Sequence, residues 1–183
     1  MKILRLAVLA FVASLMFGCA SPARVDQMVA SGHLNYDKNL QHSIELTDVK
    51  GGESTNPLWT SEIGNPEFTS ALRQSLHQQN LLGSEDQTKY ELTANLISVD
   101  QPLLGLDMEV ITLVEYSLTE KATGKSIFKQ SIQAPYTATV GDSFIAIERL
   151  RLANEGSARE NISQLLNKLA ELKIDSNQVA LVQ

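Results

Sequence analysis

Apolar and polar positions repeat along this chain with two different periods, and the periods divide it into elements. From His42 to Asp48, Ile44 and Leu46 stand between Ser43, Glu45 and Thr47, with Val49 extending the series. Period two marks a half-buried strand. Lys50 to Pro57 follows as a polar loop with two glycines and a proline, and Trp59 and Ile63 are placed to dock it on a core. Asn65-Pro66-Glu67 then offers a capping residue, a proline in the first helical turn and an acid at the positive end of the helix dipole. Phe68, Ala71, Leu72 and Leu76 share one face of that helix, which Gly83 stops. Alternation returns from Tyr90 to Val99 and again from Met108 to Thr119, where Val110, Thr112, Val114, Tyr116 and Leu118 line one face. Ala122-Thr123-Gly124-Lys125 is a turn, and Ser126 to about Thr139 is the return strand of a long hairpin. A long helix closes the pattern, opened by Asp142 or Ser143. Its stripe is Phe144, Ile147, Leu150, Ala158, Ile162, Leu165, Leu166, Leu169 and Leu172, with Gly156 inside as a kink or a close approach to the sheet.

The predicted order is β-α-β-β-β-α. It implies a two-layer α+β fold: a three- to four-stranded, mainly antiparallel sheet with two helices on one face. The first two strands, joined through a helix, can pair in parallel with a right-handed crossover. Residues 42–174 form the single domain, residues 19–41 read as a flexible polar tether, and residues 175–183 as a frayed tail.

The first residues set the compartment. Met1-Lys2-Ile3-Leu4-Arg5 is a basic start, and Leu6 to Phe17 is an apolar run. That run is shorter than the roughly 20 residues a membrane span needs, so residues 1–18 read as a secretory signal. It ends in Leu15-Met16-Phe17-Gly18-Cys19, which resembles a bacterial lipobox. Met16 stands where Leu is commoner, and Phe17 is bulkier than the usual Ser or Ala. The resemblance implies cleavage before Cys19, a diacylglycerol on its thiol and three acyl chains in all, such as palmitate. Cys19 is the one Cys of the chain and can form no internal disulfide. The competing reading is ordinary cleavage after Ala20 or Ala23, leaving a free periplasmic protein. By analogy with enteric sorting, Ala20 in place of Asp points to the periplasmic face of the outer membrane.

A net charge of -6 argues against nucleic acid or an anionic membrane surface as partner. His33, His42 and His77 have no metal-pair spacing, so no metal and no cofactor are expected. No nucleophile elbow, phosphate loop or hexapeptide repeat is present, which speaks against a hydrolase, a nucleotide enzyme or an acyltransferase of the β-helix type. The expectation is a non-enzyme.

The mature chain as a whole resembles the YajG-type group of small Gram-negative lipoproteins. The likeness rests on the lipobox ending at Cys19, on Tyr90-Glu91-Leu92-Thr93-Ala94, on the hairpin through Thr123-Gly124 and on Ala158-Arg159-Glu160-Asn161-Ile162. In element order it is similar to the amino-terminal domain of TolB and to the LPS-assembly lipoprotein. Those relatives imply an envelope role through protein contacts. The candidate partner surface is the outward face of the sheet, Ile97, Val99, Ile111 and Leu113, with the loop around Trp59 either joining or covering it. Sheet-edge pairing is a second mode of binding. Two functions follow: a protein-binding accessory or assembly factor, or a carrier holding a small lipid or glycan between helices and sheet.

Overall fold

A computed structural model describes residues 20–56, 60–84 and 86–174. The strands are β1 (Ile44–Lys50), β2 (Tyr90–Asp100), β3 (Met108–Glu120) and β4 (Ser126–Ala138). The helices are α1 (Val25–Met28), α2 (Asn65–Gln78) and α3 (Ala146–Glu171). The sheet order is β1-β2-β3-β4. β1 pairs with β2 in parallel, and β2, β3 and β4 form an antiparallel meander. A parallel pair cannot be joined by a tight turn, and α2 is the crossover that joins it. The expected α+β fold and its order are observed.

Alternation puts Tyr90, Leu92, Ala94 and Leu96 of β2 and Val110, Val114, Tyr116 and Leu118 of β3 on the helix side, all buried. α2 and α3 close over them with Phe68, Leu72, Leu76, Ile162, Leu165 and Leu169. Three bulges interrupt the ladders. At the one between Leu118 and Thr119, register passes from Phe128 to Ser126 and leaves Ile127 unpaired, so Ile127 and Phe128 are both buried in sequence. Gly51, just past β1, has a φ of 86°, and a Cβ there would meet the Leu96 carbonyl oxygen at 2.0 Å, so only glycine fits.

Three expectations need correction. First, residues 20–41 are no flexible spacer in the structure. Ala23, Met28, Ala30, Tyr36 and Leu40 belong to the main core, and α1 packs on α2 and α3. The polar look of this stretch hid widely spaced apolar residues that fill the groove between two helices. Second, Asn65 does not cap α2; its Oδ1 accepts the Gly52 N–H at 2.7 Å and fastens the preceding loop. Third, α3 starts at Ala146 without a side-chain cap, which leaves Phe144 out of the stripe and open to solvent. Asp142 instead accepts the Thr139 N–H at 2.7 Å and its hydroxyl at 2.9 Å, closing a turn.

Candidate functional site

The amino-terminal segment runs along the groove between α2 and α3, in the same direction as both helices. Ser61 Oγ donates to the Ser21 carbonyl (2.8 Å), and the Ala23 N–H to the Glu62 carbonyl (3.3 Å). Further along, the Ala30 N–H donates to Ser75 Oγ (3.0 Å) and Gln79 Nε2 to the Gly32 carbonyl (2.7 Å). On the other wall, Arg159 Nη1 donates to the Gln27 carbonyl (2.7 Å). The segment ends at the foot of α3, where Asp37 Oδ2 accepts the Ile174 N–H (3.1 Å). The backbone N–H of Asn39, then that of Ile174, hold the Asp37 carboxyl below its ordinary pKa.

One ion pair locks this arrangement. Arg24 donates through Nε to Glu155 Oε1 (2.9 Å) and through Nη2 to Oε2 (2.8 Å), a bidentate fork, and its backbone N–H adds a third bond at 2.9 Å. The Glu155 side chain is 2% exposed, and these bonds take the place of the water it gives up on burial. Its hydrogen bonds raise the pKa of Arg24 further.

A cleft of about 470 Å³ opens at the carboxyl end of β2, lined by Gly51, Glu62, Ile97, Val99, Gln101 and Leu150 among others. Glu62 accepts Thr60 Oγ1 (3.1 Å) and Gln101 Nε2 (2.6 Å), and burial raises its carboxyl pKa. Glu53, Thr60 and Ser98 also line the cleft, and no histidine does. A second polar set lies between β3 and α3. Tyr116 donates its hydroxyl to Asn161 Oδ1 (2.9 Å), Asn161 Nδ2 donates to the Ile132 carbonyl (2.9 Å), and Ser157 Oγ accepts the Thr112 N–H (3.0 Å). All four side chains are fully buried, and burial pushes the Tyr116 hydroxyl far up. Such a satisfied, sealed network fixes the seating of α3 on the sheet.

The structure divides the predicted partner surface. Ile111 and Leu113 lie half-buried on the outer face, opposite Pro135 and Gln133 of β4. Ile97 is 49% exposed at the bulge between Leu96 and Ser98. Past that bulge the faces exchange, and Val99 pairs with buried Thr112 and packs on the core. Val99 therefore leaves the outward set: one extra residue reverses every later side chain. Trp59 and Cys19 lie outside the described residues. His33, His42 and His77 are each exposed and apart, and no cluster of three metal-ligating side chains occurs among the described residues.

Sequence reasoning missed the Arg24–Glu155 lock. Its only signals were apolar Val25 and Met28 one turn apart and a Glu among buried positions of the last helix.

No protein-family model matches the chain, and no curated protein matches it in sequence. Its fold has solved counterparts. A Caulobacter crescentus protein provisionally assigned as a lipoprotein is similar over 72% of this chain and 90% of its own, at 18% identity and a TM-score of 0.50. A Xanthomonas campestris protein of the DUF330 family is similar over 78% of this chain and 93% of its own, at 6% identity and a TM-score of 0.53. At these identities the likeness is one of fold.

Proposed function

We propose that this chain is a non-enzymatic lipoprotein of the Gram-negative envelope, of the YajG type, held at the periplasmic face of the outer membrane through Cys19. In this reading it works as an accessory or assembly factor that binds another envelope protein. The carrying observation is the outer face of the sheet. No described element lies across it, and Ile111 and Leu113 sit side by side there in a polar surround. An open sheet face is ordinarily polar, so two adjacent large aliphatic residues fit a contact patch. The fold shared with a provisionally assigned lipoprotein supports the anchoring half of the reading. Among the described residues no helix is long and apolar enough to cross a membrane.

The carrier reading has less behind it. The space between helices and sheet is filled by the chain's own core and by the sealed Tyr116–Asn161 network. An enzymatic reading has only the Thr60 hydroxyl on the Glu62 carboxyl in the cleft, with no histidine beside them, and the second polar set is sealed from solvent.

The test is site-specific photocrosslinking in intact cells. A photoreactive residue at Leu113 is expected to give one discrete envelope adduct, whereas one at Lys168, on the solvent side of α3, gives none. Equal, diffuse labelling from both positions would defeat the partner reading.

A further inference from the structure

Among the described residues, the densest exposed apolar surface is not on the sheet face. The β2–β3 loop carries Leu103 (97% exposed), Leu104 (91%) and Leu106 (78%), and the β4–α3 loop carries Phe144 (89%) and Ile145 (60%). Single exposed aliphatics are unremarkable, but five on two adjoining loops are not. The loops are tied into one surface. Buried Arg149 donates through Nη1 to the Ser143 carbonyl (2.8 Å) and through Nη2 to the Gly105 carbonyl (3.4 Å), and the Val140 N–H donates to Asp107 Oδ1 (3.3 Å).

This surface lies at the end of the molecule from which the chain leads back to Cys19. Ser21 is bonded to Ser61, the neighbouring Glu62 is bonded to Gln101, and Gln101 begins the leucine loop. Both α2 and α3 start at this end, and the amino-terminal segment runs away from it. Ala20 is already buried, so the folded body begins at the residue that follows Cys19 in the sequence. Successive Cα atoms are about 3.8 Å apart. A lipid on Cys19 would therefore bring this end of the body to the headgroup layer, which is only about 5–8 Å deep on each side.

We infer that Leu103, Leu104, Leu106, Phe144 and Ile145 form a membrane-docking surface that enters the lipid interface beside the Cys19 anchor and sets the orientation of the domain on the bilayer. The inference rests on the lipid-anchor reading. The occupant is a lipid surface recognised by apolar burial rather than by charge. Neither loop carries a Lys or Arg, and Asp107 and Asp142 are engaged with backbone N–H groups of the loops themselves. Binding through such a surface is insensitive to anionic lipid and to salt, unlike that of a polybasic patch. In this orientation the outer face of the sheet stands clear of the membrane for a protein partner.

The test uses the full chain, exported and processed in a Gram-negative host, purified and reconstituted into phosphatidylcholine vesicles. Single cysteines replace Leu104, Phe144 or, in the β3–β4 turn at the far end, Thr123, and carry an environment-sensitive fluorophore. Lipids with a nitroxide near the headgroup end of the acyl chain are the quencher. The expected result is strong quenching at positions 104 and 144 and none at 123, unchanged by added phosphatidylglycerol or by salt. Flotation with the vesicles and intact mass read the anchor separately. A protein that floats and carries acyl chains, yet is unquenched at 104 and 144, overturns the docking surface alone and leaves those loops to a protein partner. Quenching that appears only with phosphatidylglycerol overturns the apolar mechanism. A chain that neither floats nor carries acyl mass overturns the anchor reading and this inference with it.

Discussion

Arg24 and Glu155, far apart in the chain, meet as a bidentate ion pair whose carboxylate is almost wholly buried. The pair joins the segment just after Cys19 to the middle of the longest helix, so any load on the anchor passes directly into the core. Removing the guanidinium strands a buried carboxylate. Arg24 itself is partly open to water, and Arg151 Nε remains 3.7 Å from Glu155, so we expect Arg24→Ala to cost about 1–3 kcal/mol rather than more. Urea denaturation of Arg24→Ala, Glu155→Gln and the double variant checks this. The double variant should be less destabilised than the sum of the singles. A segment that was merely a tether would show no loss on changing Arg24.

Gly156 lies in α3 where the Tyr136 ring comes down on the helix; a Cβ at Gly156 would meet that ring at 2.2 Å. The Arg159 guanidinium also lies over the ring, 5.6 Å from its centroid. Ala gains about 1 kcal/mol over Gly in a helix interior. Here Gly156→Ala is expected to destabilise despite that gain, because overpacking costs about 1–3 kcal/mol. Adding Tyr136→Ala should recover part of the loss, as read from the denaturation midpoint.

Tyr116→Phe deletes one hydroxyl from the sealed network and leaves Asn161 Oδ1 without its donor. The expected cost is about 1–3 kcal/mol, with the fold retained. Hydrogen exchange should show faster opening of α3 around Asn161 while β1 and β2 stay protected.

Two carboxyls give opposite pH signatures. Burial raises Glu62 above its ordinary 4.5, so between the ordinary and the raised value the folded state binds more of this proton than the unfolded chain does. Stability from this group therefore falls as pH rises from the ordinary Glu value through the raised one, and Glu62→Gln removes that slope. Asp37 is lowered by N–H donors, so its contribution is present above the ordinary Asp value and is lost as pH falls through the depressed one. Carboxyl chemical shifts followed by NMR titration should place Glu62 above and Asp37 below their ordinary ranges.

Much of this architecture is legible in the sequence. The strands show period two and the helices a 3.6-residue stripe, because each buries one face against the other layer. What the sequence hid has specific causes. The bulge at Ile97 is invisible to a strict alternation count, which puts Val99 on the outer face. The end of a helix depends on local capping, and Phe144 continued the apolar stripe although α3 begins only after it. The segment before β1 has too few apolar residues for a periodic signal, and its side-chain hydrogen bonds to the rest of the fold depend on partners from 40 to 137 positions away. Ile111 and Leu113 could be placed on the outer face from alternation alone; the docking loops could not, because nothing local tells an exposed loop leucine from a buried one.

The central claim is that Cys19 is the first residue of the mature protein and carries lipid. Intact-mass spectrometry of the full chain, extracted from the membrane fraction of a Gram-negative host, tests it directly. The account predicts a chain beginning at Cys19 with the added mass of a diacylglyceryl group and a third acyl chain. A species cleaved after Ala20 or Ala23, with no acyl mass, would contradict it.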